Sequence, residues 1–350
     1  HLSIDNELFP LNDSIYQHLE ELFTILENTL TSESSLCYDY EYDRIICFGE
    51  LLSTTIISDY LNMEGIENTF VDIRKSLKTD QNYRNANIDL ELSEQLCKGV
   101  FNFKESQIFV TQGFIAGTRT NQTTTLGREG SDYTAALLAN LLNAESVTIW
   151  KDVPGVMNAD PKEYANAEVI HRMSYKEAIE LSHFGAKVIH PKTIKPIQNK
   201  QIPLYVKSFL HPKLAGTVIE EIDEHLNLPP IYINKKNQCL LTLTPRDFSF
   251  IAEEKLSHIF AILAKYKFKL NLMQNSAISF SFCIDCNNAI FDQFIELLRE
   301  EFEVRYNQNV ELVTIRHYNE KIIREIIKDT LPLVEQRSRT TAQFVLKSQI

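Results

Sequence analysis

The sequence predicts an α/β protein in two parts: a mainly parallel sheet between helix layers, then a smaller region of a different texture. Three observations predict it. From His1 to about Glu220, short apolar runs alternate with segments of helical spacing, the pattern of a parallel sheet covered on both faces. The polar stretch Glu220–Pro230 ends in Pro229-Pro230 and reads as a linker. Beyond it the order becomes strand, helix, strand, strand, helix, strand, and a similar cycle begins again. That order is a ferredoxin-like unit followed by part of another.

Each element has its own signal. Leu19–Leu30 has the spacing of an amphipathic helix. Arg44–Phe48 reads as a short buried strand running into Gly49, with helical spacing resuming from Leu51 to Leu61. Thr69–Ile73 and Gln107–Thr111 read as strands, Tyr133–Asn143 as an Ala- and Leu-rich helix, and Ser146–Trp150 and Leu204–Lys207 as strands. In the second part, strands are expected at Gln238–Thr244, Leu270–Asn275, Ile278–Ile284 and Glu303–Tyr306. Helices are expected at Glu253–Tyr266 and Phe291–Glu301. The second cycle is strand Val310–Ile315, helix Glu320–Lys328 and strand Ala342–Leu346. Small sheets of this kind expose a face and an edge, so pairing with a second copy is expected.

Composition narrows the function. The 350 residues suit two domains, and 44% hydrophobic with 23% charged residues is globular. No run approaches the ~20 apolar residues of a membrane span. No charged-then-apolar leader follows His1, and a cytoplasmic location is expected. A formal charge of -12 argues against a sequence-independent nucleic-acid binder. Between Lys187 and Lys207, however, there are five lysines and no acid. Such a patch suits a small polyanion, and equally suits a solvated helix-and-loop face. Cys283 and Cys286 form a lone C-x-x-C without the second ligand pair that zinc needs, so they read as reduced strand thiols.

No Walker A and no G-x-G-x-x-G pattern occurs. The segment Thr123–Asp132 is the best anion-binding candidate. Gly127 and Gly130 permit a tight turn, Ser131 stands where an N-cap would stand, and the Tyr133 helix follows. Such a helix start points free N–H groups at the loop that carries Arg128. A plain capped helix after a glycine turn has the same local sequence.

Taken together, the segments resemble aspartate kinases of the amino-acid kinase family, over nearly the whole chain. The resemblance rests on Cys47-Phe48-Gly49-Glu50-Leu51-Leu52-Ser53, Val110–Ile115, Thr123–Asp132, Trp150–Val156, Asp160-Pro161 and Phe184–Pro191, with Glu335–Phe344 in the tail. Gly-Arg-x-Gly-Ser-Asp together with Phe-Gly-Glu-Leu separates this family from acetylglutamate, uridylate and carbamate kinases. The resemblance implies a kinase domain over 1–222 and paired ACT regulatory domains over 231–350. It implies phosphorylation of the side-chain carboxylate of L-aspartate by ATP, with Mg²⁺ carried by the nucleotide. The product, 4-phospho-L-aspartate, opens lysine, threonine and methionine synthesis.

The residue roles are also carried by the resemblance. Glu50 would accept hydrogen bonds from the substrate ammonium, and Arg128 would fork the α-carboxylate, with Glu129, Gly130 and Ser131 beside it. Asp132 would help hold the ammonium and order a catalytic lysine. Lys151, Asp152, Met157, Lys162, Lys187 and Val188 would meet the nucleotide, with Lys187 on the phosphates. A carboxylate nucleophile, with an ordinary pKa of about 3.9, needs no general base at neutral pH. What it needs is in-line positioning and charge neutralisation. Taken singly, Glu50 and Asp132 also read as first-turn helix acids and Lys187 as a surface lysine.

Four departures stand out. Glu129 replaces a common glycine, Met157 an aromatic residue near the adenine, and Lys162 a frequent arginine. No Lys-Phe-Gly-Gly-Thr-Ser loop precedes Glu50, so a polypeptide limited to these residues is expected to be inactive. The resemblance places an effector, lysine or threonine, near Arg246, Asp247, Phe248 and Ser249, or near Asn271 and Ser276, with a homodimer through the ACT region. The alternative reading is a non-catalytic amino-acid-binding regulatory subunit of the same family.

Overall fold

The computed structural model describes residues 13–186, 189–224, 226–247, 249–286, 288–327 and 330–347. Lys187, Val188 and Phe248, all candidate site residues, lie outside the described residues. The chain forms two compact units. One comprises 1–153, 172–179 and 188–223; the other comprises 154–171, 180–187 and 224–350.

The first unit opens with two helices, α1 (Asp13–Thr31) and α2 (Tyr38–Met63). The expected strand at Arg44–Phe48 is instead the interior of α2. The β-branched pair Ile45-Ile46 suggested a strand, yet both side chains are exposed. Burial follows the helical period: Asp43, Cys47, Leu51 and Phe48, Leu52, Ile56 turn inward. A fourfold repeat of this kind outweighs the local preference of two isoleucines.

Strands β1 (Thr69–Val71) and β3 (Phe109–Thr111) pair in parallel. The 3₁₀ turn Ile73–Lys75 takes over where β1 was expected to run on. Its cap, Asp72, accepts the Arg74 backbone N–H at 3.1 Å. A three-stranded sheet holds β2 (Lys78–Thr79), β4 (Ile115–Thr118) and β5 (Thr123–Thr125). The helix α3 (Leu90–Val100) starts on the cap Asp89. Strand β6 (Val147–Lys151) follows α4 (Gly130–Leu142), and joins β7 (Arg172–Ser174), β8 (Leu204–Ser208) and β9 (Thr217–Glu220) in the order β6-β8-β9-β7. Helices α5 (Tyr175–Phe184) and α6 (Pro191–Gln198) connect them. Parallel pairs predominate, with β4–β5 and β8–β9 antiparallel. Leu51, Ile73, Leu77, Ile115 and Leu137 form the buried centre, each contributing about 1.5–3 kcal/mol by leaving water.

The second unit is built on one antiparallel six-stranded sheet. Its strands are β10 (Ile231–Pro245), β11 (Leu270–Asn275), β12 (Phe280–Asp285), β13 (Phe302–Arg316), β14 (Val334–Arg337) and β15 (Thr341–Lys347). The order is β11-β12-β10-β13-β15-β14. With α7 (Glu253–Lys265) and α8 (Asn288–Arg299), the strands β10 to β13 make a ferredoxin-like unit. Helix α9 (Glu320–Ile327) and β14–β15 begin the second cycle. The two strands expected at 303–306 and 310–315 are one strand, β13. In the polar run Asn307-Gln308-Asn309 between them, Asn309 adopts φ +54° and the ladder to β10 shifts register near Gln238. The irregularity is absorbed as a bulge. Among the described residues no group of three or more His, Cys, Asp or Glu that could hold a metal ion gathers at the C-x-x-C pair, and burial pushes the Cys283 thiol up to about 12.

Candidate active site

An open cleft of about 510 Å³ lies in the first unit. Its lining is the 127–132 segment with Tyr42, Arg84, Phe114, Thr125 and Lys151. The sheet and α2 set its frame. Thr125, the last residue of β5, donates its N–H and its hydroxyl to the Asp43 carboxylate at 2.8 and 2.7 Å. The same fully buried carboxylate accepts the Arg84 N–H at 2.8 Å. One acid on α2 thus ties together two segments that line the cleft, and its hydrogen bonds offset the cost of burying it.

The loop then turns into α4. Leu126 donates its N–H to Phe114 O at 2.8 Å. Glu129, not Ser131, occupies the N-cap position, with φ +54° and no side-chain cap. Ser131 instead stands in the first turn. Gly130 and Gly113 allow the interlock: a Cβ on Gly130 would meet a Phe114 ring carbon at 2.7 Å, and one on Gly113 would meet Ser131 Cα at 2.8 Å. The Thr134 hydroxyl accepts the Phe114 N–H at 3.1 Å and donates to Gly130 O at 2.9 Å.

Polar capacity is left over at this helix start. Among the described residues, the backbone N–H groups of Ser131 and Asp132 have no partner, and these are the donors that bind anions at helix N-termini. The exposed Arg128 guanidinium makes no hydrogen bond or ion pair to any described residue. Its neighbour Glu129 has a buried Oε2 with no partner among the described residues. Lys151, at the end of β6, donates from Nζ to Asp132 Oδ2 at 2.7 Å.

The cleft therefore brings together Arg128, Glu129, Gly130, Ser131, Asp132 and Lys151. Glu50 is not in its described lining. It lies in the middle of α2, half-buried, and burial raises its carboxyl above the ordinary value of 4.5. Asp152 follows β6 and is exposed. Met157 and Lys162 belong to the second unit. There Met157 bridges to Val169, and Lys162 donates its N–H to Asp160 Oδ1 at 2.9 Å.

The described residues expected at an effector site fall into three separate hydrogen-bonded sets. Asp247 accepts the Ser249 hydroxyl at 2.6 Å and its N–H at 3.1 Å, which lowers its pKa to about 2. Arg246 donates from Nε to Arg299 O at 3.2 Å. Asn271 belongs to a different network: it accepts from Lys235 Nζ at 2.8 Å and donates to Gln238 and Asp285 at 2.7 and 2.9 Å. Ser276 pairs with Ser279 at the far end of the β11–β12 turn.

Sequence reading singled out none of Tyr42, Asp43, Arg84 and Phe114, and took in Thr125 only as part of the Thr123–Asp132 segment. For Asp43 a signal existed: it lies four residues before Cys47 and eight before Leu51, an acid in phase with an apolar helix face. Dividing α2 into strand and helix hid that phase.

Comparison with known proteins agrees with this architecture. The amino acid kinase family matches residues 11–208. The lysine-sensitive aspartokinase 3 of Escherichia coli (strain K12) is 34% identical over 277 residues, 76% of this chain and 60% of that protein. The chloroplastic aspartokinase 3 of Arabidopsis thaliana is 28% identical over 87% of this chain and 55% of its own length. The chain thus spans less than two thirds of these curated relatives. Among solved structures, E. coli aspartokinase III in complex with lysine and aspartate superposes with a TM-score of 0.81 at 27% identity, covering 96% of this chain and 78% of that one. Clostridium acetobutylicum aspartate kinase gives a TM-score of 0.79 at 25% identity over 98% of this chain and 78% of that one. With the family match extending over more than half of its residues, the chain belongs to the amino acid kinase family.

Proposed function

We propose that the protein transfers the γ-phosphoryl of ATP to the side-chain carboxylate of L-aspartate. One observation carries the reading: a guanidinium, Arg128, and a buried carboxylate oxygen, Glu129 Oε2, both without a partner among the described residues, occupy neighbouring positions at a helix start whose N–H groups are likewise free among those residues. A zwitterion with an additional carboxylate complements that set. Arg128 takes the α-carboxylate as a fork, and Glu129 and Asp132 face the ammonium, with Glu50 proposed as a further acid. The E. coli aspartokinase III structures, with lysine and aspartate in one and aspartate and ADP in another, support the choice of ligands.

The chemistry asks little covalent work of the protein. The acceptor is already ionised, so the residues must bring two anions together and neutralise the transferring group. Lys151 supplies a positive charge held in place by Asp132. The N-terminus of α4 supplies oriented N–H groups. Among the described residues no group of three or more acids, histidines or cysteines could hold a metal. Mg²⁺ is proposed to come with ATP, held chiefly by phosphate oxygens and water, where it would neutralise phosphate charge. Asp152, Met157, Lys162, Lys187 and Val188 are proposed to meet the nucleotide.

The activity test is aspartate- and ATP-dependent trapping of the acyl phosphate by hydroxylamine, using the natural full-length protein. Hydroxamate formation with aspartate and not with glutamate supports the reading. Binding of aspartate without any hydroxamate would favour a non-catalytic regulatory subunit instead.

The ferredoxin-like sheet of the second unit is proposed to pair with a second copy and to bind lysine or threonine as feedback effector. The lysine-sensitive relative favours lysine. A ligand at 100 times its Kd stabilises by about 2.7 kcal/mol, so a thermal melt with each amino acid tests this; an unchanged melt with both would remove it.

A further inference from the structure

Arg84 has no assigned role in the reading above, yet it lines the same cleft as Arg128. Four features fix its position. Its backbone is left-handed, at φ +64°, a conformation that a residue without special support avoids. Its N–H is held by the buried Asp43 carboxylate, which also holds Thr125 immediately before the anion loop. Its carbonyl packs on Gly127, where a Cβ would approach Arg84 O to 3.0 Å. Its guanidinium lies over the Tyr42 ring at 4.6 Å, and Tyr42 is itself a cleft residue.

The charge of Arg84 is nevertheless available. Among the described residues the guanidinium makes one hydrogen bond, from Nη1 to Asp39 Oδ1 at 3.1 Å, and the two side chains are 48% and 53% exposed. An exposed pair of this kind is weak and exchanges readily for a better carboxylate. Lys151, by contrast, is already matched by Asp132.

We infer that Arg84 is a substrate-binding residue, sharing the α-carboxylate of the acidic amino acid with Arg128 and leaving the side-chain carboxylate for the phosphoryl group. The inference rests on the aspartate-phosphorylating reading and deepens it. Stacking on Tyr42 orients the planar fork before substrate arrives, and a preoriented donor gives up less side-chain freedom on binding.

The test is steady-state hydroxamate kinetics on the full-length protein with Arg84→Ala, Arg84→Lys and Asp39→Ala. The expected result for Arg84→Ala is a rise of about tenfold in KM for aspartate, with kcat and KM for ATP within about twofold. Arg84→Lys should recover part of the loss. Asp39→Ala, which frees the guanidinium, should leave KM for aspartate unchanged or lower it. An unchanged KM in Arg84→Ala would overturn the inference. So would a loss in Asp39→Ala equal to that in Arg84→Ala, because the pair would then be a strut between α2 and the 80–86 turn. If Arg84→Ala does not fold, the other two variants decide between the same outcomes. A wild-type protein that forms no hydroxamate would instead remove the activity itself.

Discussion

Lys151 Nζ and Asp132 Oδ2 lie 2.7 Å apart, joining the end of β6 to the first turn of α4. Both side chains are partly exposed, at 28% and 16%, so the pair adds at most about 1 kcal/mol to stability. Its value is positional: it aims an ammonium into the cleft. Asp132→Asn should therefore lower kcat by about 100-fold, the scale of losing one preorganised charge contact. The melting temperature should move little. A variant with wild-type kcat would show that Lys151 needs no such anchor.

Glu50 makes a prediction about pH. Burial raises its folded-state pKa above 4.5, so ionisation costs the folded state more than the unfolded one. The stability associated with the protonated form is fully present below the unfolded value and is lost as pH rises through the folded value. Glu50→Gln should raise the melting temperature at pH 7.5 and leave it unchanged near pH 4. Aspartate affinity should fall in the same variant if this acid faces the ammonium. Melts at the two pH values check the first part; an equal effect at both would contradict it.

Asp43 holds the frame of the cleft. Asp43→Ala would leave the Arg84 N–H, the Thr125 N–H and the Thr125 hydroxyl without their acceptor. Each buried donor left unpaired costs about 1–3 kcal/mol, and partial relaxation brings the expected total to about 3 kcal/mol. Asp43→Asn, which keeps one acceptor, should fall between. Urea unfolding measures both; a loss below about 1 kcal/mol in Asp43→Ala would show that the two segments are held by other contacts.

The parts legible in the sequence are those whose signal is local. The α4 helix, β6, β8 and the ferredoxin-like cycle follow from periodicity, and the Gly-Arg-x-Gly-Ser-Asp segment follows from its glycines and its place before a helix. What escaped depends on distant partners. The two- to four-residue strands β2, β4, β5 and β9 are too short to carry a period; sheet pairing alone defines them. Asn309 looks like a turn residue and becomes a bulge because β10 runs on beside it. Arg84 looks like a surface arginine, and only the fold brings it to Tyr42 and Gly127.

The most direct measurement is calorimetric titration of L-aspartate into the wild-type protein and into Arg128→Ala. Recognition of an amino acid at the head of α4 predicts saturable binding near one ligand per chain, weakened at least about tenfold without the guanidinium. Equal affinity in the two proteins would contradict it.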